Sequence, residues 1–278
     1  MKILIIGGKG WIGSKCAQAW PDESIISDRK INSVADVVEI LENHQPDVVL
    51  NAAGIVGQPN VDWCDSHPRE TIFGNTVLPI MIAEACQRKN IYLLHISSGC
   101  IYYGYSSDPK GWKPEDPANP EVAYTKSKYA ADLALSTFDN IGIARIRMPI
   151  DRVPYRANLI DKLASYPKII DVTNSVTVIE DMLNVFHRLL QLKATGIFHV
   201  TNPGAISHRE IIALYEKYVD PAHSNEWISE DELIKSGLTK KKRSNNILQS
   251  PNLEKLGIQM RPVQEAMLDT MQKRFITK

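Results

Sequence analysis

The chain has 278 residues, and its 32 Lys plus Arg balance 32 Asp plus Glu, so the formal charge is zero. That balance gives no basic footprint for nucleic acid and none for an anionic membrane surface. The longest apolar runs, Ile3 to Ile6 and Val48 to Leu50, fall far short of the roughly 18 residues a membrane span needs. Length allows one large domain or two small ones, and 44% hydrophobic content suits a chain with a real core. Met1 and Lys2 lead straight into a strand-like run without a secretory leader pattern, so a cytoplasmic location is expected. The four cysteines, Cys16, Cys64, Cys86 and Cys100, form no CxxC and read as reduced thiols. Seven scattered histidines include no HExxH and no Cys/His cluster, so no metal site is expected.

In chain order, residues 2–6 (KILII) predict a strand that ends in Gly7 and Gly8, and 11–20 predict a helix. Further buried strands are expected at 24–27, 48–51, 91–96 and 141–147, with helices at 33–44, 69–89 and 122–138 between them. Strands alternating with helices in this way predict an α/β fold, a doubly wound parallel sheet covered on both faces. The stretch Asp108 to Pro120, with four prolines, reads as a surface loop. After Pro149 the pattern loosens into a helix at 156–165, a strand at 168–172, a helix at 179–192 and a strand at 196–200. Helices near 207–219, 230–236 and 262–275 follow. The expected division is a nucleotide-binding core over 1–150 and a smaller α/β C-terminal lobe over 151–278, with chain crossovers allowed.

Three motifs carry chemistry. Gly7, Gly10 and Gly13 form GxxGxxG across the first strand-to-helix turn, with Trp11 and Ile12 between the last two. Glycine lets backbone approach a pyrophosphate there, and a helix start offers free N–H groups; a turn serving packing alone is the alternative. Asp28, Arg29 and Lys30 follow the second strand. An acid at this place bonds a ribose hydroxyl and a base accepts a 2′-phosphate, so two cations favour NADPH, against the alternative of a solvated charged turn. Tyr124 and Lys128 form YxxxK on one face of a predicted helix. An ammonium near a phenol lowers its pKa and equips it for acid–base work. Ser97 and Ser98 at the end of the fourth strand bring a hydroxyl to the sheet's carboxyl edge.

Together with Asn51-Ala52-Ala53-Gly54, these motifs resemble the extended short-chain dehydrogenase/reductase family over essentially the whole chain. The resemblance implies a Rossmann-type fold in which Tyr124 protonates a carbonyl oxygen, Lys128 holds the nicotinamide ribose and Ser98 orients the carbonyl. It also places Asn51 to Gly54 and Pro149 beside the cofactor, and implies a homodimer formed through the YxxxK helix. The segments GIVGQPNVDWC (54–64), RIRMPI (145–150), SYPKIIDVTNSVT (165–177), TNPGAISH (201–208) and RSNN (243–246) are similar to nucleotide-rhamnose epimerase-reductases and to the C-terminal half of plant rhamnose synthases.

That closer resemblance implies conversion of UDP-4-keto-6-deoxyglucose to UDP-L-rhamnose, by epimerising C3 and C5 and then reducing C4 with NADPH. Both carbons adjoin the C4 ketone, so inversion needs one group to remove a proton and another to return one. Related epimerase-reductases carry a cysteine two residues after the catalytic serine, as Cys100 follows Ser98, whereas reductases without the epimerase step carry tyrosine. Lys168 is the candidate second acid–base, a surface lysine being its alternative. Val56, Gln58, Asn60, Ser98, Cys100, Asn202, Arg243 and Asn246 are the expected substrate contacts. Two other functions stay open: a 4-dehydrorhamnose reductase without epimerase activity, and a non-catalytic nucleotide-binding subunit resembling the regulatory subunit of methionine adenosyltransferase.

Overall fold

The structure, a computed structural model, describes residues 1–27, 29–58, 60–239 and 241–274. Strands Ile3–Ile6 (β1) and Val48–Asn51 (β3) are buried at every residue, as is Tyr92–Ser98 (β4). Their continuous apolar runs reflect helices on both faces of the sheet. With Ser24–Ile26 (β2), Ile141–Ile146 (β5) and Gly196–Val200, they make a six-stranded sheet in the order β2, β1, β3, β4, β5 and then Gly196–Val200. The strand β1 pairs in parallel with β2 and β3, and β3 with β4. The winding reverses between β1 and β3, so Gly7 and Asn51 stand at the crevice where open α/β sheets take ligands.

By contact, the described residues form two compact units, each discontinuous in sequence. The first comprises Met1–Ile101, Ala118–Arg145 and Leu183–Phe198, and the second Tyr102–Pro117, Ile146–Met182 and His199 onward. In the first unit Leu4, Ile6 and Leu93 pack against Val37, Ile40 and Leu41 of helix Val34–His44 and against Ala131 and Leu135 of helix Ala123–Leu135. Ser33 starts Val34–His44 with a reciprocal capping box to Asp36.

The continuous helix expected over 69–89 is interrupted. It runs as Pro68–Ile72, a π-helical turn at Phe73–Val77, and Leu78–Arg88. Pro79 supplies the reason, because it has no N–H for the carbonyl four residues earlier, at Asn75, and its ring crowds that carbonyl. The wider turn relieves the clash and directs Asn75 sideways. Its Oδ1 accepts from the Ile55 N–H at 2.8 Å, and its Nδ2 donates to the Ile55 carbonyl at 2.8 Å and to Ser127 Oγ at 3.2 Å.

The second unit has its own core, in which Ile150, Val178, Ile206 and Ile211 pack with Val263 and Met267. Its strands are short: Pro149–Ile150 pairs with Thr177–Val178, Lys168–Ile170 with Glu226–Ile228, and Thr173–Asn174 with Ile206–Ser207. The strand expected over 168–172 ends at Ile170. The last three expected helices appear as His208–Tyr218, Glu230–Lys235 and Val263–Gln272. Among the described residues, no helix is long and apolar enough to cross a membrane, and no group of three or more His, Cys, Asp or Glu is placed to hold a metal ion.

Gly7 and Gly13 are needed by the fold itself. Gly7 sits at φ +81°, and a Cβ there would lie 2.5 Å from the Ala53 nitrogen. At Gly13 a Cβ would press into the Gly7 carbonyl oxygen and the Gly8 Cα, both backbone atoms that cannot rotate away. Gly13→Ala is therefore expected to destabilise the protein by about 1–3 kcal/mol, the usual cost of overpacking. Urea unfolding measures this, and an unchanged midpoint would contradict the packing role.

Candidate active site

The first unit gathers Ser98, Cys100, Tyr124 and Lys128 at the end of β4. The strand runs out at Ser98 into a tight 3-10 turn, Gly99–Ile101, in which the Cys100 N–H donates to Ser98 Oγ at 3.1 Å. Ser98 also hydrogen-bonds the Tyr124 hydroxyl, and Cys100 lies close enough to act on that phenol electrostatically. Tyr124 and Lys128 are one turn apart near the start of helix Ala123–Leu135, so both face the strand end. The Lys128 ammonium is buried and donates to the Ile96 carbonyl at 3.1 Å. A Cβ on Gly54 would lie 3.2 Å from Lys128 Nζ and 3.2 Å from Asn75 Oδ1, so these two groups converge on the bare backbone after β3.

Electrostatics here differ from the expectation that lysine would acidify the phenol. Burial pushes Tyr124 upward, nearby Cys100, Cys64 and Asp132 add to the shift, and only the Ser98 hydrogen bond opposes it. The phenol is thus held protonated, ready to give a proton rather than to take one. Lys128 is pulled down from the usual lysine range to about 8 by burial, with Asp132 resisting. His95 on β4 is fully buried and kept neutral by burial and by Lys128. Its Nδ1 meets Asn51 Nδ2 at 3.0 Å, while Asn51 Oδ1 accepts from the Ala53 N–H at 3.0 Å, which fixes the turn after β3. Cys64 is fully buried and also acts on Tyr124.

The residues around the first glycine turn fit a pyrophosphate. Helix Trp11–Ala19 begins at Gly10 with no side-chain cap and no acid in its first turn, and a helix start of this kind suits an anion. A Cβ at Gly10 would meet only the Gly7 carbonyl at 3.2 Å, and the residue is exposed. Ala52 and Ala53 are half-buried beside this turn and Gly54 is exposed. Asp28 lies outside the described residues. Arg29 turns towards the following helix and pairs with Asp36 at 3.2 Å and with Glu39, while Lys30 is exposed. An exposed pair of this kind is worth little, so a phosphate can compete for the guanidinium.

Val56 and Gln58 are exposed in the segment that follows. Asn60 Oδ1 accepts from the Asp62 N–H at 2.8 Å at the start of helix Asp62–Ser66.

The remaining expected residues belong to the second unit. Pro149 opens a short strand beside Thr177. Lys168 is exposed and pairs with Glu226 at 3.1 Å. Asn202 is fully buried: Nδ2 donates to Asp181 at 2.6 Å and to the Arg261 carbonyl at 3.0 Å, and Oδ1 accepts from the Val178 N–H. Asn246 is buried too, donating to the Tyr102 carbonyl at 2.7 Å and to Ser244 Oγ at 3.0 Å. Both asparagines, expected to contact substrate, therefore tie protein segments together through their amide hydrogens. Arg243 is half-buried, and its N–H donates to Glu230 at 3.1 Å. Arg147, absent from the expected set, is fully buried and bonds Asn174 and Ser244, so the RIRMPI, VTNSVT and RSNN segments meet at one guanidinium.

Sequence reading also missed Asn75 and Asp132. The Gly-Asn pair inside an apolar helix, four residues before Pro79, was the available signal for Asn75.

The chain matches the RmlD substrate binding domain family over residues 1–274. It is 32% identical over 274 residues to a bifunctional dTDP-4-dehydrorhamnose 3,5-epimerase/dTDP-4-dehydrorhamnose reductase of Arabidopsis thaliana, covering 95% of this chain and 90% of that one. The crystal structure of the L780 UDP-rhamnose synthase from Acanthamoeba polyphaga mimivirus superposes with a TM-score of 0.92 at 29% identity, covering 98% and 99% of the two chains. A dTDP-4-dehydrorhamnose reductase from Bacillus anthracis, solved in complex with NADP, shares the fold at a TM-score of 0.82 and 19% identity, covering 97% of this chain and 98% of that one. Its Rossmann-type sheet and this match along nearly its whole length place the chain in the RmlD substrate-binding domain family.

Proposed function

We propose that the chain is an NADPH-dependent epimerase-reductase of nucleotide sugars that converts UDP-4-keto-6-deoxyglucose to UDP-L-rhamnose. One observation carries the reading: the Tyr124 hydroxyl, bonded to Ser98, has Cys100 beside it and a buried Lys128 one helical turn away. The relative named for dTDP sugars and the mimivirus enzyme named as a UDP-rhamnose synthase support the substrate class, the latter favouring UDP. Bound NADPH would supply the hydride to C4.

The chain's own residues divide the remaining work. The N–H groups of Trp11 to Gly13 receive the pyrophosphate and Arg29 with Lys30 the 2′-phosphate. Ser98 and Tyr124 hold the C4 oxygen, and Tyr124 delivers its proton as the ketone becomes an alcohol. Lys128 meets the nicotinamide ribose and restores the phenol's proton. Before reduction the same hydrogen bonds stabilise the enolate formed when a proton leaves C3 or C5. Cys100 is one partner in that exchange and Lys168 the other, which requires Lys168 to leave Glu226. Arg243 serves the diphosphate through its forked guanidinium.

Tyr124→Phe removes the proton donor and is expected to lower the rate of NADPH oxidation by about 10²-fold or more, the general-acid contribution, with cofactor affinity retained. Reduction at the wild-type rate would remove Tyr124 from this role. Cys100→Ala is expected to end solvent deuterium uptake at C3 or C5 while NADPH still binds, and unchanged exchange would leave the epimerase assignment without its acid–base. Because Lys128 sits near 8, it is charged below that pH and neutral above. A pH profile of kcat/KM for NADPH should therefore fall as pH rises through about 8, and a flat profile to pH 10 would contradict the role of the ammonium.

A further inference from the structure

Three consecutive residues at the end of β4 are each fastened to one helix. The Ile96 carbonyl accepts from Lys128 at 3.1 Å, Ser97 Oγ donates to Asp132 Oδ1 at 2.5 Å, and Ser98 bonds the Tyr124 hydroxyl. Tyr124, Lys128 and Asp132 stand four residues apart on helix Ala123–Leu135 and so form one stripe. Asp132 is also gripped by Arg145 of β5, whose Nε donates to Oδ2 at 2.8 Å. Ser97, Asp132 and Arg145 are each at most 2% exposed.

We propose that Ser97, Asp132 and Arg145 are positioning residues for the reducing site, fixing the register between the strand end that carries Ser98 and the helix face that carries Tyr124 and Lys128. The inference rests on the reading of those three residues as the reducing site.

Stability alone does not explain the cluster. A buried ion pair recovers its desolvation cost only partly, and apolar residues of similar volume often serve as well or better. A polar cluster does constrain geometry, because it is satisfied in one arrangement only. Ser97 and Ser98 are adjacent at the strand end, and both bond the same helix. Holding Ser97 on the helix therefore fixes the twist at which Ser98 is presented to Tyr124. Asp132 has a second effect, since its carboxylate supports the charge on Lys128 one turn away. Other ionisable groups near the site are His95 from β4, which is kept neutral, Cys100 and Cys64, which act on Tyr124, and Asp65, which accepts from the Ala123 N–H at 2.8 Å.

The test compares Ser97→Ala, Ser97→Thr and Asp132→Asn with the wild type in the full chain. Ser97→Ala leaves the ion pair intact, so it isolates positioning from charge. Its kcat for keto-sugar reduction is expected to fall about tenfold, the scale of a sub-ångström misplacement, with KM for the sugar and NADPH affinity within about twofold. Ser97→Thr keeps the hydroxyl and is expected to restore most of kcat. Asp132→Asn is expected to shift the Lys128 titration below its wild-type value, read by NMR of 13C-labelled lysine, and to move the alkaline limb of kcat in the same direction.

Wild-type kcat in Ser97→Ala, or an unshifted Lys128 titration in a folded Asp132→Asn, overturns the proposal. If Asp132→Asn does not fold, Ser97→Ala decides alone. A wild-type protein that reduces no keto-sugar counts against the functional reading, and the lysine titration still decides the claim about Asp132.

Discussion

Burying the Lys128 ammonium strips it of water, and the surrounding structure is arranged to replace what is lost. One hydrogen bond goes to the Ile96 carbonyl, a bare glycine at position 54 leaves room for Nζ, and the Asp132 carboxylate sits one turn along the same helix. Burial lowers the ammonium to about 8, and the Asp132 carboxylate opposes that fall. The strand end, the turn after β3 and the π-helical Asn75 all close around this group. Pro79 matters to the site indirectly, because it opens the turn that aims Asn75 at Ile55.

The same burial acts in the opposite sense on Tyr124. Desolvation disfavours its phenolate, so the free enzyme carries a neutral phenol bonded to Ser98. A neutral phenol is suited to protonating a carbonyl oxygen and to hydrogen-bonding an enolate, which are the two demands of epimerisation followed by reduction. A single pair of hydroxyls can serve both steps in turn. In the proposed reaction the thiol at Cys100, on the turn directly after Ser98, is the third proton-handling group.

The alternation of strands and helices was readable because strands buried on both faces are apolar runs, as in ILII (3–6) and VVL (48–50). YxxxK, Ser98 and the glycine turn were readable because each is local in sequence. The structure adds that Gly7 and Gly13 answer to their own backbone neighbours first, while Gly10 is the least crowded of the three. What escaped was long-range. Asp132 meets Ser97 across 35 residues, and Arg147 meets Ser244 across 97, separations at which spacing carries no signal. Asn202 and Asn246 had the right chemistry for a ligand but are buried with their amide hydrogens held by protein. The strands of the second unit are too short, at two or three residues, to show a period.

The account depends on one site performing inversion and reduction together. The direct measurement is an incubation of the wild-type chain alone with UDP-4-keto-6-deoxyglucose and NADPH in D2O, followed by NMR of the product. UDP-L-rhamnose carrying deuterium at C3 and C5 is the expected result. A 6-deoxy sugar reduced at C4 with its C3 and C5 hydrogens untouched would contradict it.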